Sequence, residues 1–289
     1  MCGDVGMTKA SHLVLQTAMW TMAAAFAFAD AASAQKTPYW RAGWELGPCK
    51  QLSCYAEWSF VQAHNPAEAD PALNAVVSGV VWTGAENVSP HSGRSFALFE
   101  TTVAAIKAGR PHSKVYKEWQ FPGGLAKKDA FGRPLQPVAP SGIDGTYVAW
   151  FFIPSDYEAK NGWTNIFQFK VTEQSPFSQD PTWWVNLRDS MTDDTLLLHV
   201  ENAAPGTHKP ENDIPAPKGR WFQIRADLYE RIGIDWYLDG VFWQSSPVST
   251  WRVGRDPRSS GTPQSFIFGV GHYSGVGKIY TDDAAFIPK

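Results

Sequence analysis

Along residues 163–171, WTNIFQFKV, hydrophobic and polar side chains alternate at a period of two, the mark of a strand with one face on a core. The period places Trp163, Asn165, Phe167, Phe169 and Val171 on the core side. Thr164, Ile166, Gln168 and Lys170 fall on the other side, so an amide and an amine stand two residues apart on one sheet surface. The same period recurs elsewhere. Residues 95–101 set Phe96, Leu98 and Glu100 against Ala97 and Phe99, and residues 114–121 set Val115, Lys117, Trp119 and Phe121 against Lys114, Tyr116, Glu118 and Gln120. Residues 147–153 are apolar on both faces, as for a strand buried between layers, and Pro154-Ser155-Asp156 ends it. In residues 183–188, Trp183, Val185 and Leu187 oppose Trp184, Asn186 and Arg188. Residues 196–201, 221–228, 232–238, 266–273 and 278–285 give further strands, and Asp239-Gly240 is a strong signal for a two-residue hairpin.

The segments between these strands are rich in turn residues. Residues 121–145 carry five glycines and four prolines, a long loop suited to wall a groove. Residues 205–218 form a proline-rich connection, residues 39–60 a leading strand with a cysteine loop, and residues 65–76 a short helix or an irregular surface segment. Beyond the first 34 residues no long helical period and no internal repeat occurs. Many short strands joined by such loops predict an all-β jelly-roll β-sandwich of two antiparallel sheets, one domain spanning residues 35–289.

Residues 1–34 read as a signal peptide. Lys9 precedes an apolar run, and Ala32-Ser33-Ala34 before Gln35 has the small-x-small form of a cleavage site. The run is short and contains Gln16, which disfavours a membrane anchor, and Met7 is an alternative start. A secreted or periplasmic protein is therefore expected, without membrane attachment after cleavage. Removing Lys9, Asp4 and Asp30 leaves 24 basic and 26 acidic residues, a net charge of 24 − 26 = −2. That balance excludes a nucleic-acid partner by bulk charge. An acidic polysaccharide stays open only where basic residues are gathered locally. Cys49 and Cys54 remain after cleavage, as for one small disulfide that pins the N-terminal segment. The fourteen Trp exceed what a core usually needs, a mild sign of sugar stacking.

Candidate chemistry lies on three strands. In residues 266–273, Phe266, Phe268, Val270 and His272 share one face, and Ile267, Gly269, Gly271 and Tyr273 the other. Gly269 and Gly271 beside Tyr273 mark either the close approach of a ligand or a bulge. His272, opposite Tyr273, reads as a packed structural residue. With Lys114-Val115-Tyr116-Lys117-Glu118 and Gln168-Phe169-Lys170, this segment resembles, in order, three motifs of concanavalin A-like jelly-roll polysaccharide lyases: Arg-x-Glu, Gln-x-His and a strand ending Lys-x-Gly-x-Tyr. The layout is similar to the heparin lyase I-like and glucuronan lyase-like relatives. It includes residues 145–157, Gly219-Arg220-Trp221, Leu238-Asp239-Gly240 and Tyr280-Thr281-Asp282-Asp283.

The resemblance implies β-elimination on a uronic-acid polymer, with no cofactor required. The sugar carboxylate is neutralised, its C5 proton removed and the departing O4 protonated. It implies that Gln168 is the neutralising amide and Tyr273 the catalytic tyrosine. The family His falls on Lys170 and the family Arg on Tyr116, with Lys114 two residues earlier, so clamp and base stay open among Lys170, Tyr116 and Lys114. Glu118 reads as an ion partner of Lys114 or Lys170, or as the group that orients Lys170. Trp184, Asn186 and Arg188 supply subsites or a solvated face. His112 follows a turn where it can overhang the cleft, and His199 has no assignable partner. Asp282 and Asp283 suggest a structural Ca²⁺ site or a turn. A glycoside hydrolase is disfavoured because no Glu-x-Asp-x-x-Glu run occurs. A non-catalytic carbohydrate-binding protein is the stronger rival, since it needs the same sandwich without Gln168 or Tyr273. A monomer is expected.

Overall fold

Alternating strands of this kind bury their apolar faces by stacking two sheets, and the computed structural model shows such a pair. It describes residues 37–45, 57–63, 76–78, 88–107, 109, 112–129, 132–159, 163–173, 183–190, 193, 195–202, 212–230, 232–247 and 263–289. All lie within one compact unit, Lys36–Lys289. Residues 1–34, read as a signal peptide, Cys49 and Cys54, and residues 65–75 lie outside the described residues.

The first sheet runs β14 (Val241–Pro247), β13 (Gly233–Leu238), β12 (Trp221–Tyr229), β7 (Gly145–Phe152), β16 (Gly277–Pro288), β4 (Ala97–Thr101) and β3 (Val76–Ser78), with β1 (Trp40–Ala42) also on β16. The second runs β11 (Ile214–Pro215), β10 (Leu196–Asn202), β9 (Trp183–Asp189), β8 (Thr164–Glu173), β15 (Pro263–Tyr273), β5 (His112–Gln120) and β2 (Phe60–Ala63), with β6 (Gln136–Pro137) on β5. Every pairing but β5 with β6 is antiparallel. The one described helix, α1 (Val103–Lys107), is too short to cross a membrane. This is the expected jelly-roll sandwich.

The core between the sheets is aromatic. Phe167, Phe169, Phe266 and Phe268 project from the second sheet against Tyr147, Phe151, Phe222, Trp236 and Phe286 of the first, all buried. Tyr147 stacks on Phe286 at 4.4 Å between ring centroids, and Phe167 meets Phe268 edge-on at 5.0 Å. Trp40, Trp44, Trp58, Trp119, Trp183 and Trp236 are also buried, so much of the tryptophan serves packing. The hairpin at Asp239-Gly240 has φ values of 50° and 78°, the left-handed pair that such a turn requires.

Two sequence expectations change. β7 is not sandwiched between complete layers: Tyr147, Ala149 and Phe151 enter the main core, whereas Phe152 is half-buried with Trp221 against a small second cluster of Val88, Phe96, Leu98 and Tyr280. The strict alternation of β8 also breaks. Its register against β9 shifts between Asn165 and Phe167, and Ile166 and Phe167 both enter the core. Asn165 and Trp163, expected on the core face, are thereby moved to the face of Gln168.

Candidate functional site

The outer face of the second sheet gathers the predicted residues through its register. β15 is the central strand, paired on one side with β5 and on the other with β8. Gly269 lies between Tyr116 and Gln168, and Ile267 lies between Glu118 and Lys170. Tyr273 lies between His112 and Asn165, while Gly271 pairs with Lys114. The rows continue outward, from Gln168 to Trp184 to Glu201 and from Asn165 to Asn186 to His199.

The two glycines have a specific purpose. A Cβ at Gly269 would sit 2.6 Å from two carbons of the Tyr116 ring, and one at Gly271 would sit 2.7 Å from Lys114 Cα. Gly271 also has a φ of 139°, which side-chain-bearing residues rarely adopt. The close approach expected over this strand is therefore made by the protein itself. Tyr116 and Lys114 lie across the bare strand and reach β8.

Lys114 is 2% exposed. Its Nζ donates to Gln168 Oε1 at 2.7 Å and to Asn165 Oδ1, and it lies 5.0 Å from the centre of the Tyr273 ring. Burial, then the positive charge of Lys170, pushes the amine well below its ordinary range. With both amide oxygens turned to Lys114, the buried Gln168 Nε2 is left on the side of the Tyr116 hydroxyl, whose pKa its interaction lowers against the larger effect of burial. Lys170 Nζ lies 5.2 Å from the centre of the Tyr116 ring. Burial pushes the Tyr116 hydroxyl well up, so it stays a neutral phenol rather than a ready base.

Tyr273 sits at the end of this row, partly exposed. His112 stacks on it at 4.7 Å, and Trp163, 41% exposed, lies 5.6 Å away. Burial, then the charges of Lys114 and Lys170, lowers the His112 imidazole below its usual 6.5. His272, fully buried on the opposite face, bonds the hydroxyls of Tyr157 and Thr101, both at 3.0 Å, and is the structural residue expected.

Several expected roles are corrected. Glu118 pairs with neither Lys114 nor Lys170: it accepts from the Ser265 hydroxyl and lies 3.6 Å from Lys127, which the loop after β5 brings over this end of the face. Arg188 is not a free subsite cation, because it is ion-paired with Asp213. His199 does have a partner, the same Asp213 at 2.5 Å. Asn186 is 3% exposed rather than solvated. It donates to Glu201 Oε2 at 3.0 Å, as does Trp184 Nε1, and it accepts from Asn165 Nδ2 at 3.4 Å.

The alternation of β8 hid Asn165. The adjacent apolar pair Ile166-Phe167 between two amides is the pattern that signals the bulge.

Asp282 and Asp283 lie on β16, in the other sheet, where their carboxylates and His91 lie within 4.8 Å of one another. Asp282 accepts from the backbone N–H groups of His91, Ser92 and Asp283, and Asp283 takes the Ser92 hydroxyl at 2.9 Å and His91 Nδ1 at 2.6 Å. Asp283 has a φ of 44°. These bonds strap residues 91–92 to β16.

Among solved structures, the chain is similar to an alginate lyase from Pseudomonas aeruginosa, with 13% identity over 67% of this chain and 83% of that one and a TM-score of 0.43. It is also similar to a non-specific endo-β-1,3(4)-glucanase of family GH16, with 10% identity over 86% and 90% and a TM-score of 0.44. An alginate lyase from Klebsiella pneumoniae matches with 13% identity over 67% and 79% and a TM-score of 0.40. No protein-family profile and no curated protein sequence matches the chain. The jelly-roll assignment rests on the strand pairing rather than on these overlaps.

Proposed function

We propose that this chain is a secreted polysaccharide lyase that cleaves a uronic-acid polymer by β-elimination. One observation carries the reading: Lys114 lies over the Tyr273 ring and holds the Gln168 amide, and Lys170 lies over the neighbouring Tyr116 ring on the same face. The carboxylates described on that face are engaged elsewhere. Glu118 is bonded to Ser265 near Lys127, Glu201 takes Trp184 and Asn186, and Asp213 holds Arg188 and His199. Such a face suits a carboxylated sugar, and among its described residues no pair of free acids of the kind glycoside hydrolysis uses occurs.

In this reading the Gln168 amide and Lys170 hold the C6 carboxylate, which acidifies the C5 proton. His112, kept unprotonated near neutral pH, takes that proton. The electron pair of the C5–H bond becomes the C4–C5 double bond, and the C4–O4 bond breaks. Tyr273 delivers its hydroxyl proton to O4, and proton exchange between His112, Tyr273 and solvent resets the site. Trp163, exposed beside Tyr273, offers a surface on which a neighbouring sugar stacks.

The test is incubation with alginate, glucuronan, heparin-type and pectic polymers while following the ultraviolet absorbance of the unsaturated uronate. A rise with one of them is expected. Binding without any product would instead identify a carbohydrate-binding protein.

A further inference from the structure

The loop that follows β5 places a second group of polar side chains on the site face. Lys127 Nζ donates to Thr172 Oγ1 at 2.8 Å, the Thr172 hydroxyl meets Ser265 Oγ at 2.5 Å, and Ser265 donates to Glu118 Oε1. Lys127 Nζ also comes within 3.6 Å of that carboxylate and 3.5 Å of the Ser265 oxygen. Ser265 spends its proton on Glu118, so Thr172 donates to Ser265 and accepts from Lys127. Both hydroxyl protons are thereby consumed inside the group. What it offers outward is the ammonium of Lys127 and the second oxygen of Glu118, which nothing among the described residues bonds.

Lys127 is held in place in advance. Its backbone N–H donates to Gln120 Oε1 at 3.2 Å and its carbonyl accepts from the Leu135 N–H at 3.1 Å, while Gln120 Nε2 donates to the carbonyls of Gly124 and Leu125 at 3.0 and 2.8 Å. Gln264 Oε1 takes the Leu125 N–H from the other side. Gly124 has no room for a side chain, since a Cβ there would lie 2.7 Å from the Gln264 carbonyl oxygen. A lysine normally loses rotamer freedom when it grips a ligand, and here the fold has already imposed that loss. The Lys127 side chain nevertheless stays 33% exposed, against 11% for Glu118.

Register sets where this group lies. Ser265 and Thr172 are paired across β15 and β8, two residues along β15 from Ile267, whose neighbours are Glu118 and Lys170. At the rise of an extended strand that is about 7 Å from the row of Lys170 and about 13 Å from the row of Gln168. A chain held by Lys170 therefore passes over Lys127 with a neighbouring sugar. A second uronate carboxylate does not suit this place, because Glu118 repels it. Adjacent ring hydroxyls do suit it, one accepting from Lys127 and one donating to Glu118.

We infer that Lys127 and Glu118 form a distal sugar subsite, which takes a vicinal hydroxyl pair of a neighbouring sugar in the bound chain and makes affinity grow with chain length. The identity of the bound chain rests on the polyuronate reading; the subsite itself does not.

Calorimetry with oligouronates from disaccharide to octasaccharide, on a Tyr273→Phe background to stop turnover, should show affinity rising with length. Lys127→Met should remove that rise: the dissociation constant of the long oligomers should increase roughly 5- to 50-fold, while that of the shortest stays within about twofold. Thermal unfolding confirms that each variant is folded. A lysine needed only to hold the loop would weaken every length alike; that result, or affinity independent of length, overturns the subsite. Glu118→Gln keeps an acceptor for Ser265 and removes the charge, so long oligomers should bind as tightly or up to about fivefold more weakly. Tighter binding would place a carboxylate there and overturn the hydroxyl assignment. Neutral oligosaccharides form a second series. If they bind in place of oligouronates, with the same length-dependent loss in Lys127→Met, the polyuronate reading fails and the subsite stands. If neither series binds, both fall.

Discussion

Acid should destabilise this sandwich through one buried imidazole. His272 is fully buried in β15, one residue before Tyr273, with its two ring nitrogens on the hydroxyls of Tyr157 and Thr101. Burial first, and the charge of Lys114 second, lower its pKa from 6.5 to about 3. The sign follows from linkage. The unfolded chain takes up a proton near pH 6.5, whereas the native imidazole resists it until about pH 3, so the stability contributed is complete above 6.5 and is lost as pH falls toward 3. Each pH unit in that window costs about 1.4 kcal/mol, so about 2 kcal/mol is lost by roughly pH 5, a sizeable share of a typical domain stability. The assay is urea unfolding of the wild type and His272→Gln at about pH 8 and about pH 5. The substitution removes the titration, and the amide can still bond both hydroxyls. The wild type should lose about 2 kcal/mol more than the variant between the two pH values. Equal losses would refute the reasoning.

Three other outcomes are expected. Gly269→Ala would place its Cβ 2.6 Å from the Tyr116 ring and 3.2 Å from Gln168 Cγ. It should cost about 1–3 kcal/mol in thermal unfolding and lower turnover more than it lowers stability, since both displaced groups belong to the site. His112→Gln should reduce kcat by roughly 100-fold or more and remove the acid limb of the kcat/KM profile, which in the wild type should lie below 6.5 because activity fades as the lowered imidazole becomes protonated. Arg188→Met, which leaves Asp213 with His199 alone, should cost about 1–3 kcal/mol in urea unfolding while changing the affinity for a polyuronate by less than about twofold.

The strands could be read from period-two alternation because a sheet with one face on a core enforces it, and the Asp239-Gly240 hairpin because its left-handed angles demand those residues. Gln168, Lys170, Tyr116 and Tyr273 could be placed on one surface for the same reason. What escaped was whatever departs from the alternation or depends on side chains crossing strands. Asn165 reaches the site only through the bulge that sends both Ile166 and Phe167 inward. Lys114 reaches β8 only because Gly271 leaves β15 bare, a relation between two strands more than 150 residues apart in sequence. Lys127 beside Glu118 comes from a loop, and Arg188 and His199 share Asp213, and no spacing rule brings those to a sheet face. The pairing of His112 with Tyr273 is a matter of register, which the Gly109-Arg110-Pro111 sequence before it does not disclose.

The central claim is that the cationic, amide-bearing face beside Tyr273 performs elimination on a polyuronate. Its most direct measurement follows the ultraviolet absorbance of unsaturated uronate released from a panel of polyuronates by the wild type and by Tyr273→Phe, with binding of the same polymers recorded in parallel. The account predicts product from the wild type on at least one polyuronate, a loss of roughly 100-fold or more in Tyr273→Phe, and nearly unchanged binding. Undiminished product from Tyr273→Phe, or binding by the wild type with no product from any polyuronate, would contradict it.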